Sequence, residues 1–259
     1  MSGIQKIGLF DSGLGGLTVL KALNRILPGV SKVYYGDTLH LPYGDKSDAA
    51  IIGYSTSIVE FLKSQGCELI VIACNSASAA AGKILEERFP ELTFINVIDP
   101  VVDYLAGLPP QKVGLLGTRA TVRSGAYSSK LAAKTNEVNL QALATPLLVP
   151  LIEDGFLGTG IDASVLEHYL KDPSMVGITA LVPGCTHYPL LEDAAASILS
   201  GVQWVDAPTI VAKAVAAQWS GEGEAENTFY LSDRTDNFLR LAKSTFGIDA
   251  EWELVPLQD

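Results

Sequence analysis

A weak internal repeat constrains this chain more than any other feature. Gln111–Thr118 (Q-K-V-G-L-L-G-T) repeats Gln5–Ser12 (Q-K-I-G-L-F-D-S) at an offset of 106 residues, Lys6 to Lys112. Ile178–Cys185 is an apolar run that ends in a cysteine, as Leu69–Cys74 is, at an offset of 111 residues, Cys74 to Cys185. Each half thus reads strand, polar turn, helix, further structure, then a strand ending in Cys. Short apolar runs alternating with helical patterns are the signature of parallel sheets covered by helices. The expected fold is α/β: two pseudo-symmetric α/β lobes with mostly parallel sheets. The active site is expected in the cleft between them, because such sheets place ligands at the carboxyl ends of their strands.

Lys6–Phe10 reads as the first strand, followed by a glycine-rich turn and a helix from Leu17 to Leu27 that stops at Pro28-Gly29. Val33–Tyr35 is a second strand, and Ala49–Ser64 a helix with Ile51, Ile58 and Leu62 along one face. Leu69–Ala73 is a fully apolar strand followed by a small-residue helix, Ala77–Phe89, and Thr93–Ile98 is a strand closing at Asp99-Pro100. After Trp204–Asp206 come a helix, Thr209–Trp219, and a tail with one more strand-like run, Thr228–Leu231. The second lobe already has its complement of strands, so the tail is expected to return to the first. Residues 1–97 plus 208–259 then form the first lobe and residues 98–207 the second.

The 259 residues are 48% hydrophobic, ample for a packed core, and carry a net charge of −11. Nothing supplies a basic stripe, which argues against nucleic acid and against an anionic membrane surface as partners. No apolar run approaches 18 residues, and Met1–Lys6 lacks the basic-then-apolar layout of a secretory leader. A cytoplasmic location is expected. Three cysteines, Cys67, Cys74 and Cys185, are too few and too odd in number for a disulfide framework and are expected as reduced thiols.

Four segments could carry chemistry. The turn Asp11-Ser12-Gly13-Leu14-Gly15-Gly16-Leu17-Thr18 precedes a helix, where backbone N–H groups can approach an anion. A tight turn without a ligand has about the same weight. Asp11, at a strand's carboxyl end, tips the balance slightly toward a ligand crevice. The polar, aromatic loop from Tyr34 to Gly44 can cover such a crevice or merely connect elements. Cys74-Asn75-Ser76 opens a helix, where a thiol's pKa falls toward the thiolate, and Asn75 and Ser76 offer donors beside it. Cys185-Thr186-His187 reads as the same arrangement in the second half, with His187 near enough to lend a proton. One such cysteine is more often a core residue; two at equivalent repeat positions, each followed by polar donors, are much harder to dismiss. Glu153 either reaches the crevice or caps a helix. Cys67 has no polar escort and reads as a packed spectator. Cys185-x-His187 with Cys74 matches no familiar metal spacing, so no metal is expected.

These motifs resemble the glutamate racemases, the cofactor-independent enzymes of the aspartate/glutamate racemase superfamily that make D-glutamate for peptidoglycan. The resemblance runs through D-S-G-L-G-G from Asp11, Y-Y-G-D with P-Y-G ending at Gly44, C-N-S-A-S from Cys74, V-G-L-L-G-T-R-A-T-V, P-L-L-V-P-L-I-E-D-G and G-C-T-H-Y-P-L-L ending at Leu191. It covers most of the first 210 residues in order. The His-Tyr-Pro after the second cysteine is similar to the glutamate branch rather than the aspartate one. Ser76 stands where threonine is usual and keeps the hydroxyl; Pro183 and Asp206-Ala207-Pro208 are mild departures.

The resemblance implies that Cys74 and Cys185 are the two acid/base residues, and that Asp11, Ser12, Pro42, Tyr43, Gly44, Asn75, Ser76, Thr186 and His187 bind substrate. Asp11, Glu153 and His187 are candidates to assist. It also implies no cofactor, L- and D-glutamate as the small-molecule substrates, and cell-wall biogenesis as the role. A homodimer is the expected assembly. An opening strand that begins near residue 1 suggests catalysis without an N-terminal activator segment. Two thiols facing each other provide a base on one face of Cα and an acid on the other, with coupled titrations. The rival readings are a racemase of a related amino acid, a glutamate-binding module without catalysis, and a nucleotide-dependent oxidoreductase suggested by the first glycine turn and Asp37. The last leaves both cysteine motifs unexplained.

Overall fold

The computed structural model describes residues 6–219 and 226–257. Gln5, the first residue of the repeat, and the opening read for a leader lie outside the described residues. The strands are β1 (Lys6–Asp11), β2 (Ser31–Gly36), β3 (Leu69–Ile72), β4 (Thr93–Asn96), β5 (Gln111–Gly117), β6 (Val138–Ala144), β7 (Ala180–Gly184), β8 (Gln203–Trp204), β9 (Asn227–Leu231) and β10 (Trp252–Leu254). They form a six-stranded sheet, β10-β9-β2-β1-β3-β4, and a four-stranded sheet, β6-β5-β7-β8. Neighbouring strands pair in parallel throughout both sheets.

The repeat is the architecture. β2-β1-β3-β4 and β6-β5-β7-β8 have the same order, and the repeated sequence runs along the central strands β1 and β5. Side chains match too, because alternate residues on a strand share a face. Ile7 and Leu9 on β1, Leu69 and Val71 on β3, Val113 and Leu115 on β5, and Ala180 and Val182 on β7 all enter one apolar cluster that spans both halves. Gly8 and Gly114 are repeat mates as well. A Cβ on Gly8 would stand 3.0 Å from Ile70 and 3.1 Å from Cys67, and one on Gly114 would stand 3.0 Å from Ile178, Leu181 and Met175. Each glycine lets a neighbouring side chain lie on the strand backbone. Cys67 is one of those side chains.

The strand in the tail, β9, pairs with β2, and β10 extends the sheet beyond it. β10 is three residues long, Trp252-Glu253-Leu254, too short a run for its alternation to be read as a strand. β4 ends at Asn96 rather than Ile98. Asp99-Pro100 does not close that strand but starts a helix, Asp99–Ala106, with proline in its first turn. Proline suits a first turn, whose N–H has no helical partner in any case. β8 likewise stops at Trp204; Asp206 caps the helix Ala207–Gln218 by accepting from the Thr209 amide at 3.1 Å. No helix among the described residues is long and apolar enough to cross a membrane.

Candidate active site

β1, β3, β5 and β7 all end at the same pocket. β3 leads directly into Cys74, the residue before the helix Asn75–Arg88, and β7 leads into Cys185. Both thiols line one pocket together with Ser12, Pro42, Tyr43, Gly44, Asn75, Ser76, Thr186 and His187. Thr118 and Val149 complete the lining. A larger groove beside helix Leu17–Ile26 contains neither thiol, and its chemistry gives it no claim as the reaction site.

Thr118 has a readable signal in the sequence, because it is the repeat mate of Ser12 at the 106-residue offset. Its Oγ1 lies 2.9 Å from Ser76 Oγ, which joins the two halves at the pocket wall. Gly44 lies against the same threonine, and a Cβ there would come within 2.7 Å of Thr118 Cβ. Asp11 and Glu153 sit behind the lining. Asp11 is fully buried; its carboxylate accepts from the Gly13 amide at 3.0 Å and from Thr186 Oγ1 at 3.1 Å. The loop leading to Gly44 is held by Asp37, which accepts from Tyr43 Oη at 2.5 Å and binds His40 Nδ1 at 2.9 Å.

The two thiols have unlike surroundings. Cys74 is 5% exposed and lies 3.9 Å from Ser12 Oγ. Burial pushes its thiol up to about 12, with the Asp11 charge adding to the rise and the Ala77 amide opposing it. The lowering expected from a helix start therefore fails at Cys74, where desolvation of the thiolate outweighs the helix terminus. Cys185 is not at an α-helix start. Pro189 follows, and the chain makes a 3₁₀ turn, Tyr188–Leu191, before the next helix. Its help comes from side chains instead. Cys185 Sγ lies 3.7 Å from His187 Nδ1, and His187 Nε2 lies 2.6 Å from Glu153 Oε1. Burial pushes the imidazole down, but its bonds to Cys185 and Glu153, with their charges, carry it well above its usual range. Both thiols thus share one pocket, Cys74 beside Ser12 and Cys185 beside His187.

Gly15 makes this possible at close range. A Cβ there would stand 2.5 Å from both His187 Nδ1 and Thr186 Oγ1. Only a glycine lets the first turn pass beneath these two side chains.

The sequence profile of the Asp/Glu/Hydantoin racemase family matches residues 7–215. The chain belongs to the Asp/Glu/Hydantoin racemase family. It is similar to the glutamate racemase of Aquifex aeolicus (strain VF5), 42% identical over 248 residues that cover 95% of this chain and 96% of that one. It is also similar to a glutamate racemase of Thermus thermophilus, 44% identical over 218 residues, 84% of this chain and 80% of that one. The crystal structure of glutamate racemase from Francisella tularensis subsp. tularensis SCHU S4 in complex with D-glutamate matches with a TM-score of 0.89 at 32% identity, covering 97% of each chain. Membership makes the chain an isomerase of the racemase class.

For this racemase the unlike thiols set an order of reactivity. Iodoacetamide is expected to label Cys185 first. Cys74 and Cys67 follow slowly, because burial pushes both of their thiols up to about 12. Mass-spectrometric labelling over time checks this, and fastest labelling at Cys67 would contradict it.

Proposed function

We propose that this racemase interconverts L- and D-glutamate by a two-base proton transfer at Cα, with Cys185 and Cys74 as the bases. The observation that carries the reading is the pocket itself. Two thiols come from equivalent strands of two sheets, and the remaining polar lining is Ser12, Tyr43, Asn75, Ser76, Thr118, Thr186 and His187. The relatives named glutamate racemase supply the substrate.

The geometry supports a definite sequence of proton movements. Toward one hand of the substrate Cys185 is the base, with His187 and Glu153 behind it, and Cys74 is the acid. With one hand of glutamate bound, Cys185 takes the Cα proton and Cys74 delivers its own to the opposite face. The enzyme is left with a Cys185 thiol and a Cys74 thiolate, and the reverse reaction or exchange of one proton resets it. The opposite hand reacts from that second state. Ser12 and the Ala77 amide offset part of the burial that disfavours the Cys74 thiolate.

Charge that builds on the substrate carboxylate during abstraction is met by fixed, largely buried donors, worth several kcal/mol. Among the described residues no lysine or arginine lines the pocket, so both carboxylates of glutamate are held by neutral donors and the imidazole of His187. No pocket-lining lysine stands ready to form a Schiff base, and the reading assigns proton transfer to the thiols alone. The role we infer is supply of D-glutamate for peptidoglycan in the cytoplasm, by a chain whose lobes comprise residues 1–97 plus 208–259 and 98–207.

Circular dichroism of the purified, dialysed protein with L-glutamate, and separately with D-glutamate, tests the reading. Both signals are expected to decay to zero with no cofactor or metal added. A signal that decays only after pyridoxal phosphate or zinc is supplied would overturn the mechanism; no decay under any condition would overturn the function.

A further inference from the structure

We propose that Tyr127 is a positioning residue for substrate recognition: from the second lobe it fixes the Asn75 carboxamide so that its N–H groups, rather than its carbonyl, face the pocket. The inference rests on the glutamate reading above and deepens it.

Tyr127 Oη donates to Asn75 Oδ1 at 2.7 Å. Both residues are buried, Tyr127 at 2% exposure and Asn75 at 5%, and Asn75 lines the pocket. The two ends of a carboxamide have nearly the same shape, so packing alone does not choose which faces the substrate. A hydrogen bond has to make the choice. With the amide as found, the phenol proton and the amide oxygen satisfy each other, and the Asn75 Nδ2 donors are left for the pocket. With the amide reversed, Asn75 would donate to the phenol oxygen. The phenol proton, whose one printed hydrogen bond among the described residues is to Asn75, would then lose that partner in a buried place. An unmade hydrogen bond of that kind is costly. The reversed amide would also aim a carbonyl oxygen at an anionic substrate in a pocket that has no lysine or arginine in its lining.

The repeat points the same way. Asn75 and Thr186 are mates at the 111-residue offset, each directly following a cysteine. Each is held by the opposite half. Thr186 donates its hydroxyl to Asp11 at 3.1 Å and its backbone oxygen accepts from Thr18 at 3.0 Å. Asn75 is held by Tyr127, on the helix Ala126–Ala132. The polar side chain next to each thiol is therefore held in place only when the two halves are together, which couples assembly of the pocket to the orientation of its lining.

The test is a double-mutant cycle on Tyr127→Phe, Asn75→Ala and the double variant, reading KM and kcat for both enantiomers. Tyr127→Phe is expected to raise KM about tenfold for both hands with a smaller change in kcat, the size of one lost buried hydrogen bond. In the Asn75→Ala background the same substitution is expected to change KM less than twofold, because no amide remains to orient. Where Asn75→Ala turns over too slowly, the dissociation constant of D-glutamate from isothermal titration closes the same cycle. Equal effects of Tyr127→Phe in both backgrounds would show that the phenol only packs the interface and would overturn the proposal while leaving the racemase reading intact. A wild-type protein that leaves both enantiomers unchanged would instead remove the reading itself.

Discussion

Cys74→Ala and Cys185→Ala are each expected to lose at least ~10²-fold in racemisation, the low end for removal of a positioned acid or base. Each substitution takes away the base for one hand and the acid for the other, so neither direction survives. The remaining thiol can still abstract from the face it meets. A glutamate whose amino nitrogen carries a leaving group reports that half-reaction, since loss of the Cα proton expels the group and forms the imine with no second acid. In the proposed mechanism we assign Cys185 to the proton of L-glutamate and Cys74 to that of D-glutamate. Cys74→Ala is therefore expected to eliminate only from the L-analogue, and Cys185→Ala only from the D-analogue. Elimination by both variants from the same hand would place the thiols on one face of Cα and end the two-base account.

The second large effect concerns the pair behind Cys185. His187→Asn removes the imidazolium 3.7 Å from the sulfur and is expected to lower kcat/KM by roughly 10²-fold. The fall is equal for L- and D-glutamate, because the equilibrium between enantiomers is fixed at one and kcat/KM in the two directions is bound by it. Glu153→Gln is milder, about tenfold, since Glu153 touches His187 at 2.6 Å and not the substrate pocket. Its signature is in pH. Glu153 is one of the groups that raise the His187 pKa. Without it the imidazolium loses its proton at lower pH, so the alkaline limb of the rate profile shifts down. A profile of kcat/KM against pH that does not move in Glu153→Gln would show that His187 is not the group titrating there.

Much of this arrangement is legible in the sequence, and for one reason. The repeat at Gln5–Ser12 and Gln111–Thr118 places Gly8 and Gly114 at matching points of matching strands, and the runs Leu69–Cys74 and Ile178–Cys185 place the two cysteines just past matching strand ends. The common sheet order follows from it. Thr118 is reachable by the same logic, as the mate of Ser12. What the sequence hides is whatever depends on three-dimensional neighbours or on the surroundings of a motif. The two cysteine motifs look alike in one dimension, but Cys74 lies beside Ser12 and Cys185 beside His187, which meets Glu153, 34 positions from the histidine. Tyr127 carries no local signal. It stands on a seven-residue helix after a left-handed Gly125 and meets Asn75 only because the halves pack together. The helix Asp99–Ala106 is masked by Pro100, which reads as a strand's end until its place in a first turn is seen.

The central claim, one base for each face of Cα, is tested most directly by racemising L-glutamate in deuterium oxide and following deuterium at Cα early in the reaction. Two bases predict that newly formed D-glutamate carries deuterium while the unreacted L-glutamate retains hydrogen, because the proton that leaves one face is not the one that returns to the other. Deuterium appearing equally in recovered substrate and product would mean that a single group serves both faces, and the assignment of Cys74 and Cys185 as opposed bases would be wrong.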